Sequence, residues 1–338
     1  MAPSTQTLPA LVWEGGLSVA VRDVPAPEPT EGFALLDVAY TGLCGTDLHI
    51  CAGEHSRAQP GIVIGHELVG TLAEDAGDLR AGQAVFANPM MHCGTCDACS
   101  RGLVHVCERL RSVGIDRPGA ACARVLVPAG GLYPLPAGLA LVEAALVEPL
   151  AVCVRALRRS GCAAGERVHV VGGGPIGCLL ALLARDAVAA PGSGSGSGAV
   201  TLSEPSATRR ALADGLGITT VDPERPAPTA DVVFDATGVP TVAASLGRWA
   251  RAQARVVVVG AYPPVPSPVD LLRVMFAELS LVGTRIYTRE DITAAIELVA
   301  SGRLDLGRLV SEIVPLDEGV RAIEALRAGS ALKLLVAP

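Results

Sequence analysis

Arg167-Val-His-Val-Val-Gly-Gly-Gly-Pro-Ile-Gly177 is the stretch on which the fold turns. Arg167–Val171 reads as a short buried strand. Gly172-Gly-Gly-Pro-Ile-Gly177 follows it as G-x-G-x-x-G and opens an apolar helix over Ile176–Arg185. In such a unit Gly172 makes the tight turn, Gly174 lets a pyrophosphate approach the backbone, and Gly177 allows helix and strand to pack closely. The helix N-terminus, at Pro175 and Ile176, favours the phosphate charge. A glycine pattern alone is weak evidence; the strand before it and the helix after it give it weight.

The alternation continues towards the C-terminus. Val200–Ser203, Asp231–Asp235, Arg255–Val259 and Leu279–Val282 read as further strands, and Ala207–Gly215 as a second helix. This rhythm implies a parallel, doubly wound sheet of the Rossmann type. Two more helices, Asp291–Ser301 and Leu316–Ala328, close the chain. The acid expected at the end of the second strand is Glu204, and it lies 204 − 177 = 27 residues past Gly177. The usual gap is about 20, and the low-complexity run Gly192–Gly198 accounts for the excess. That run reads as a flexible spacer between the first helix and the second strand, at the sheet edge opposite the ligand crevice. A carboxylate at Glu204 accepts hydrogen bonds from ribose hydroxyls and repels a 2′-phosphate, which predicts NAD over NADP. Arg209 and Arg210 are the nearby residues that a 2′-phosphate would use.

Towards the N-terminus the texture changes. Phe33–Tyr40, Glu67–Leu72 and Ala123–Val127 read as short strands between turns, so the first 130 or so residues are β-rich. The chain is 338 residues long, which favours two domains with a real core in each. Its net charge of −7, with no basic stretch to offset it, argues against nucleic acid. Its longest apolar runs fall well short of a membrane-spanning helix of about 20 residues. Residues Met1–Thr7 show no basic region leading into an apolar core, so a cytoplasmic protein is the expectation. Lys333 is the only lysine.

Ten cysteines without a secretory signal argue for reduced thiols, and their clustering argues for metal. Cys93-x2-Cys96-x2-Cys99-x7-Cys107 is a tetrathiolate pattern: a filled tetrahedral site, hence structural zinc. A second set is scattered over Gly42–His49, Gly65-His-Glu67 and Val147-Glu-Pro-Leu150. There Cys44, His66 and a carboxylate can form a three-ligand zinc site that keeps a position open for substrate. His55, His92, His105 and His169 belong to no such constellation and receive no role.

Together these motifs, in this order, resemble the zinc-dependent medium-chain dehydrogenases/reductases over nearly the whole chain. The polyol branch (sorbitol, 2,3-butanediol and threonine dehydrogenases) is the most similar, because Glu148 stands where the alcohol dehydrogenase branch has a cysteine ligand. The resemblance implies a GroES-like catalytic domain over 1–150 and 288–338, bearing the lobe 93–107, and a Rossmann domain over 151–287. It implies Cys44 and His66 as catalytic zinc ligands, with Glu67 and Glu148 competing for the third position. Asp47 would orient His66, Thr46 would take the substrate proton and His49 would pass it on. Arg209 would lie near the adenosine ribose, and Arg285 would line the substrate pocket. The implied function is reversible oxidation of a secondary alcohol (vicinal diol, polyol or cyclitol) to a ketone, with two zincs per chain and NAD. The alternatives are an amino-alcohol dehydrogenase of threonine or aminocyclitol type and a non-catalytic zinc- and dinucleotide-binding regulator. A homodimer or homotetramer is expected.

Overall fold

The computed structural model describes residues 6–189, 198–225 and 229–338. All but Gly198 of the low-complexity run therefore lies outside the described residues. The chain divides into two compact units, Met1–Glu148 with Ile296–Pro338, and Pro149–Ala295. The second boundary falls at Ile296 rather than 288 because one helix, Arg289–Ala300, runs through the transition. The first boundary also lies within a helix, Val147–Ser160, where the sequence reading placed no element.

The first unit is built mostly on antiparallel pairing; Val310–Pro315 and Lys333–Ala337 pair in parallel. A sheet runs in the order Leu132–Pro134, Ala84–Ala87, Glu67–Leu72, Phe33–Leu43, Lys333–Ala337 and Val310–Pro315, with Arg124–Pro128 also on Phe33–Leu43. A smaller sheet pairs Ser18–Pro25 with Thr7–Gly15 and Ile62–Val63. Alternating apolar side chains from these strands close two cores, one around Leu11, Leu43, Ile50 and Ile64, the other around Leu36, Leu68, Val85 and Val127. The strand Lys333–Ala337 lies beside Phe33–Leu43 with Leu334 opposite Leu43. The last residues of the chain thus reach the segment that leads into Cys44, and this pairing was not predicted.

The second unit is a six-stranded parallel sheet. In space the strands run Thr219–Val221, Val200–Ser203, Val168–Val171, Ala230–Asp235, Ala250–Val258, Ser280–Gly283. Counted within the unit that order is 3-2-1-4-5-6, the doubly wound arrangement that leaves a crevice at the carboxyl ends where strands 1 and 4 diverge. Val168–Val171 is buried at every position, as a central parallel strand must be. The helix that follows, Pro175–Val188, starts on a proline pre-set for a first turn and buries most of its length. The expected elements recur with boundary shifts of a few residues; the largest is Ala250–Val258, which starts five residues before the predicted strand. No helix among the described residues is long and apolar enough to cross a membrane.

Candidate active site and metal centres

Helix Gly45–Cys51 begins on Cys44, whose sulfur accepts the backbone N–H of Thr46 at 3.2 Å. Asp47, three residues on, returns the bond: its Oδ2 accepts the Cys44 N–H at 2.9 Å, which completes a capping box. Its Oδ1 accepts the Gly65 N–H at 3.3 Å and lies 3.6 Å from Nδ1 of His66. One carboxylate therefore ties the start of this helix to the turn carrying His66. Nε2 of His66 stands 3.1 Å from the Cys44 sulfur. Cys44, Asp47 and His66 bring donor atoms within 4.8 Å of one another, so this set can hold a metal ion.

The electrostatics point the same way. Burial pulls the His66 pKa down, but Cys44 and Asp47 outweigh it and hold the ring well above its ordinary value. Burial would likewise raise the Asp47 carboxyl, yet His66 and the N–H groups of Cys44 and Gly65 bring it below its usual range. Nδ1 of His66 is buried without a hydrogen-bond partner. The cluster favours a positive charge at its centre, as a bound metal ion would supply.

Glu67 and Glu148 do not join this set of converging atoms. Oε2 of Glu67 is 2.5 Å from Nζ of Lys333, and both side chains are buried. The same ammonium donates to the carbonyl of Leu43 at 3.1 Å. Burial lowers the Lys333 pKa, but Glu67, Cys44 and Glu148 together raise it above the normal value, so the ammonium is kept charged. A Cβ on Gly42 would strike Oε2 of Glu67; the glycine is what leaves room for the pair. Glu148 is 5% exposed and acts on Lys333 electrostatically. Sequence reasoning missed Lys333 as a member of this site. Its one signal was its being the sole lysine, in an apolar C-terminal strand.

Thr46 and His49 lie three residues apart on the same helix and so share a face. His49 is exposed, and its Nδ1 pairs with Glu54 at 2.8 Å. Arg285 is exposed in the segment after strand Ser280–Gly283 and belongs to the other unit.

The four-cysteine lobe is sharper in outline. Sulfur separations are 3.9 Å for Cys93–Cys99, 3.9 Å for Cys96–Cys107 and 3.5 Å for Cys93–Cys107. A tetrahedron with zinc–sulfur bonds of about 2.3 Å has edges of about 3.8 Å, which these three separations match, and all four sulfurs lie within 4.8 Å of one another. All four are free thiols. Backbone N–H groups, that of Thr95 first, pull Cys93 down to about 5, while desolvation pushes Cys99 up to about 12. Arg109 donates to the Cys93 sulfur at 3.4 Å and to Oγ1 of Thr95 at 2.6 Å.

In the second unit the glycine motif has the geometry a dinucleotide needs. Gly172 has φ +104°, and a Cβ there would lie 2.9 Å from Cγ2 of Thr237. A Cβ on Gly177 would collide with the carbonyl of Gly172, while one on Gly174 meets nothing. Turn closure and helix packing thus require two of the glycines, and the third leaves open space for pyrophosphate. Glu204 is buried at the end of its strand; Oε2 accepts the Gly173 N–H at 2.8 Å and Oε1 the Ser206 N–H at 2.9 Å. Arg210 donates to the carbonyls of Glu204 and Pro205 and pairs with Asp222 at 3.6 Å. The Arg209 main chain caps on Ser206.

Residues 30–137 match the alcohol dehydrogenase GroES-like domain family, and residues 193–301 match the zinc-binding dehydrogenase family. A 2-dehydro-3-deoxy-L-galactonate 5-dehydrogenase of Pseudoalteromonas atlantica is 38% identical over 89% of this chain and 90% of its own length. The chain belongs to the zinc-dependent medium-chain dehydrogenases, in their polyol branch. A sorbitol dehydrogenase of Halalkalibacterium halodurans is 26% identical over 94% of this chain and 95% of the relative. A zinc-binding dehydrogenase of Sinorhizobium meliloti, solved with NADP bound, superposes with a TM-score of 0.90 at 33% identity, covering 99% of this chain and 100% of that one. This dehydrogenase therefore joins a GroES-like unit to a Rossmann unit and oxidises a secondary alcohol with a nicotinamide dinucleotide. The regulatory alternative gives way to an enzyme.

Proposed function

We propose that this dehydrogenase oxidises one secondary hydroxyl of a polyol or sugar acid, reversibly and with NAD, and carries a catalytic and a structural zinc in each chain. The observation that carries the reading is the converging set of half-buried Cys44 and buried Asp47 and His66 donors, backed by the Lys333–Glu67 pair. Cys44 and His66 would hold a zinc there, with Glu67 or Glu148 as the third ligand and Asp47 keeping the His66 ring in orientation, and the ion would supply Lewis acidity at the substrate hydroxyl. Thr46 Oγ1 accepts the substrate proton and His49, exposed beside Glu54, releases it to solvent. Arg285 contributes to holding the substrate, and Arg209 to the adenosine ribose. The relative acting on position 5 of a deoxy sugar acid supports a hydroxylated, anionic substrate. Glu204 supports NAD, since a buried carboxylate at the strand end repels a 2′-phosphate. In the second unit strand Ser280–Gly283 is an edge, and Leu271, Leu272, Met275, Phe276 and Leu281 are exposed around it, which supports a homo-oligomer formed by edge pairing.

The test is reduction of NAD and of NADP by zinc-loaded protein across sugar acids, polyols, vicinal diols, threonine and aminocyclitols. We expect NAD turnover with a polyol or sugar acid to exceed every other pairing by at least about tenfold in kcat/KM. Preference for threonine or an aminocyclitol would overturn the substrate assignment, and preference for NADP the role given to Glu204.

A further inference from the structure

The parallel sheet carries a second buried carboxylate that the reaction as described does not use. Asp235 ends strand Ala230–Asp235 and is completely buried. It lies opposite Val171, the residue just before the glycine turn. No arginine or lysine pairs with it among the described residues. Its Oδ1 accepts both the N–H of Thr237 at 3.0 Å and the Oγ1 hydroxyl of Thr237 at 2.6 Å. Its Oδ2 accepts the hydroxyl of Tyr262, and its carbonyl accepts the N–H groups of Val259 and Gly260 at 2.9 Å each. One residue therefore joins the carboxyl ends of the fourth and fifth strands of the unit.

What this junction holds is the wall of the glycine turn. Thr237 Cγ2 lies 2.9 Å from where a Cβ of Gly172 would be, so the Thr237 methyl sits directly on the turn expected to receive pyrophosphate. The next residue, Gly238, has φ +65° and lies with its backbone on the Gly260–Ala261 turn; a Cβ on Gly238 would strike the Ala261 carbonyl. Tyr262 follows that turn immediately. Tyr262 lines an apolar cavity of about 310 Å³ shared with Leu246, Val256, Val258, Val274 and Leu279. A side chain bordering a cavity has less packing to hold it on that side, so the bond from its hydroxyl to Asp235 carries more of its placement.

We propose that Tyr262 is a positioning residue for the dinucleotide, acting through Asp235 to hold the Thr237–Gly238 loop against the glycine turn. The proposal rests on the dinucleotide reading of Gly172–Gly177. Removing the hydroxyl leaves Oδ2 of a buried, uncompensated carboxylate without its partner. Asp235 then relaxes, and Thr237 with it. The loop that must be in place before the dinucleotide binds has to be ordered at the expense of binding energy.

The experiment compares wild type with Tyr262→Phe, Thr237→Val and Thr237→Ser, all zinc-loaded. NADH and NADPH binding is measured by calorimetry, and amide hydrogen exchange is followed over 235–239 in the dinucleotide-free protein. We expect Tyr262→Phe and Thr237→Val to weaken dinucleotide binding about tenfold and to speed exchange in that segment. Under saturating dinucleotide, kcat and the KM for alcohol should stay within about twofold of wild type. Thr237→Ser keeps the hydroxyl but loses the methyl that meets the glycine turn, so it should bind more tightly than Thr237→Val and less tightly than wild type. Unchanged binding by Tyr262→Phe overturns the proposal, as does a loss spread equally over alcohol KM, kcat and thermal stability. A wild-type protein that binds neither dinucleotide overturns both the proposal and the reading beneath it.

Discussion

His66 and His169 are both buried, one in each unit, and their chemistry is opposite. His66 faces the Cys44 sulfur at 3.1 Å and the Asp47 carboxylate at 3.6 Å, and its pKa rises well above the ordinary value. His169 faces the hydroxyls of Thr201 at 2.8 Å and Ser203 at 3.1 Å and stacks on Trp249 with ring centres 5.3 Å apart. Burial, helped by the Arg248 guanidinium over the far ring, pushes its pKa down to about 4. The first environment favours a cation and the second a neutral ring. Burial alone does not mark a functional histidine; the sign of the charge around it does.

The contrast is tested most severely by removing His66. His66→Ala should lower kcat/KM by roughly 10⁴-fold or more, because it deletes a side chain that we propose as a ligand of the catalytic zinc. The four-cysteine lobe should keep its metal, so metal analysis should fall from two zincs per chain to one. Substantial turnover in this variant would sink the assignment of the active site.

A smaller effect is expected at the cation that shapes the same site. Lys333→Met leaves Glu67 buried without its partner and should cost roughly 3–5 kcal/mol of stability, read by chemical denaturation. Lys333→Arg should recover part of it. If Lys333→Met unfolds as wild type does, the ion pair is not what holds the site together.

The third prediction concerns His169 and pH. The group is about 6.5 when unfolded and about 4 when folded, so below pH 6.5 the unfolded state takes up a proton that the folded state refuses. Stability is therefore unaffected above about pH 6.5 and is lost as pH falls towards 4, by roughly 3 kcal/mol in full. His169→Gln, which can bond to Thr201 and Ser203 without titrating, should lack that loss. A wild-type-minus-variant difference that stays flat between pH 7 and 4 would show that His169 is not neutral when folded.

Much of this was legible along the chain. The strand-glycine-helix run at 167–185 and the cysteine spacing at 93–107 are contained within single short segments. Steric and coordination rules act there over a few residues, so type and spacing predict geometry. Cys44 and Asp47 belong to one capping box; Cys44 stood out by its spacing from His66, whereas Asp47 entered only through the family resemblance. Which carboxylate would complete the set was not readable. Glu67 follows His66 in the chain, yet its carboxylate turns to a lysine 266 residues away.

The sequence by itself determined the two kinds of unit and the glycine turn and pointed to the four-cysteine lobe, because strand, turn and cysteine spacing act over short stretches of chain. Tertiary structure alone decided that Lys333 faces Glu67, that Tyr262 reaches back to Asp235, and that His66 and His169 carry opposite shifts. These outcomes depend on which strands pair and in what register, as with Leu334 beside Leu43 and Asp235 beside Val171. No local spacing encodes that pairing; it emerges when the apolar faces of distant strands are buried together.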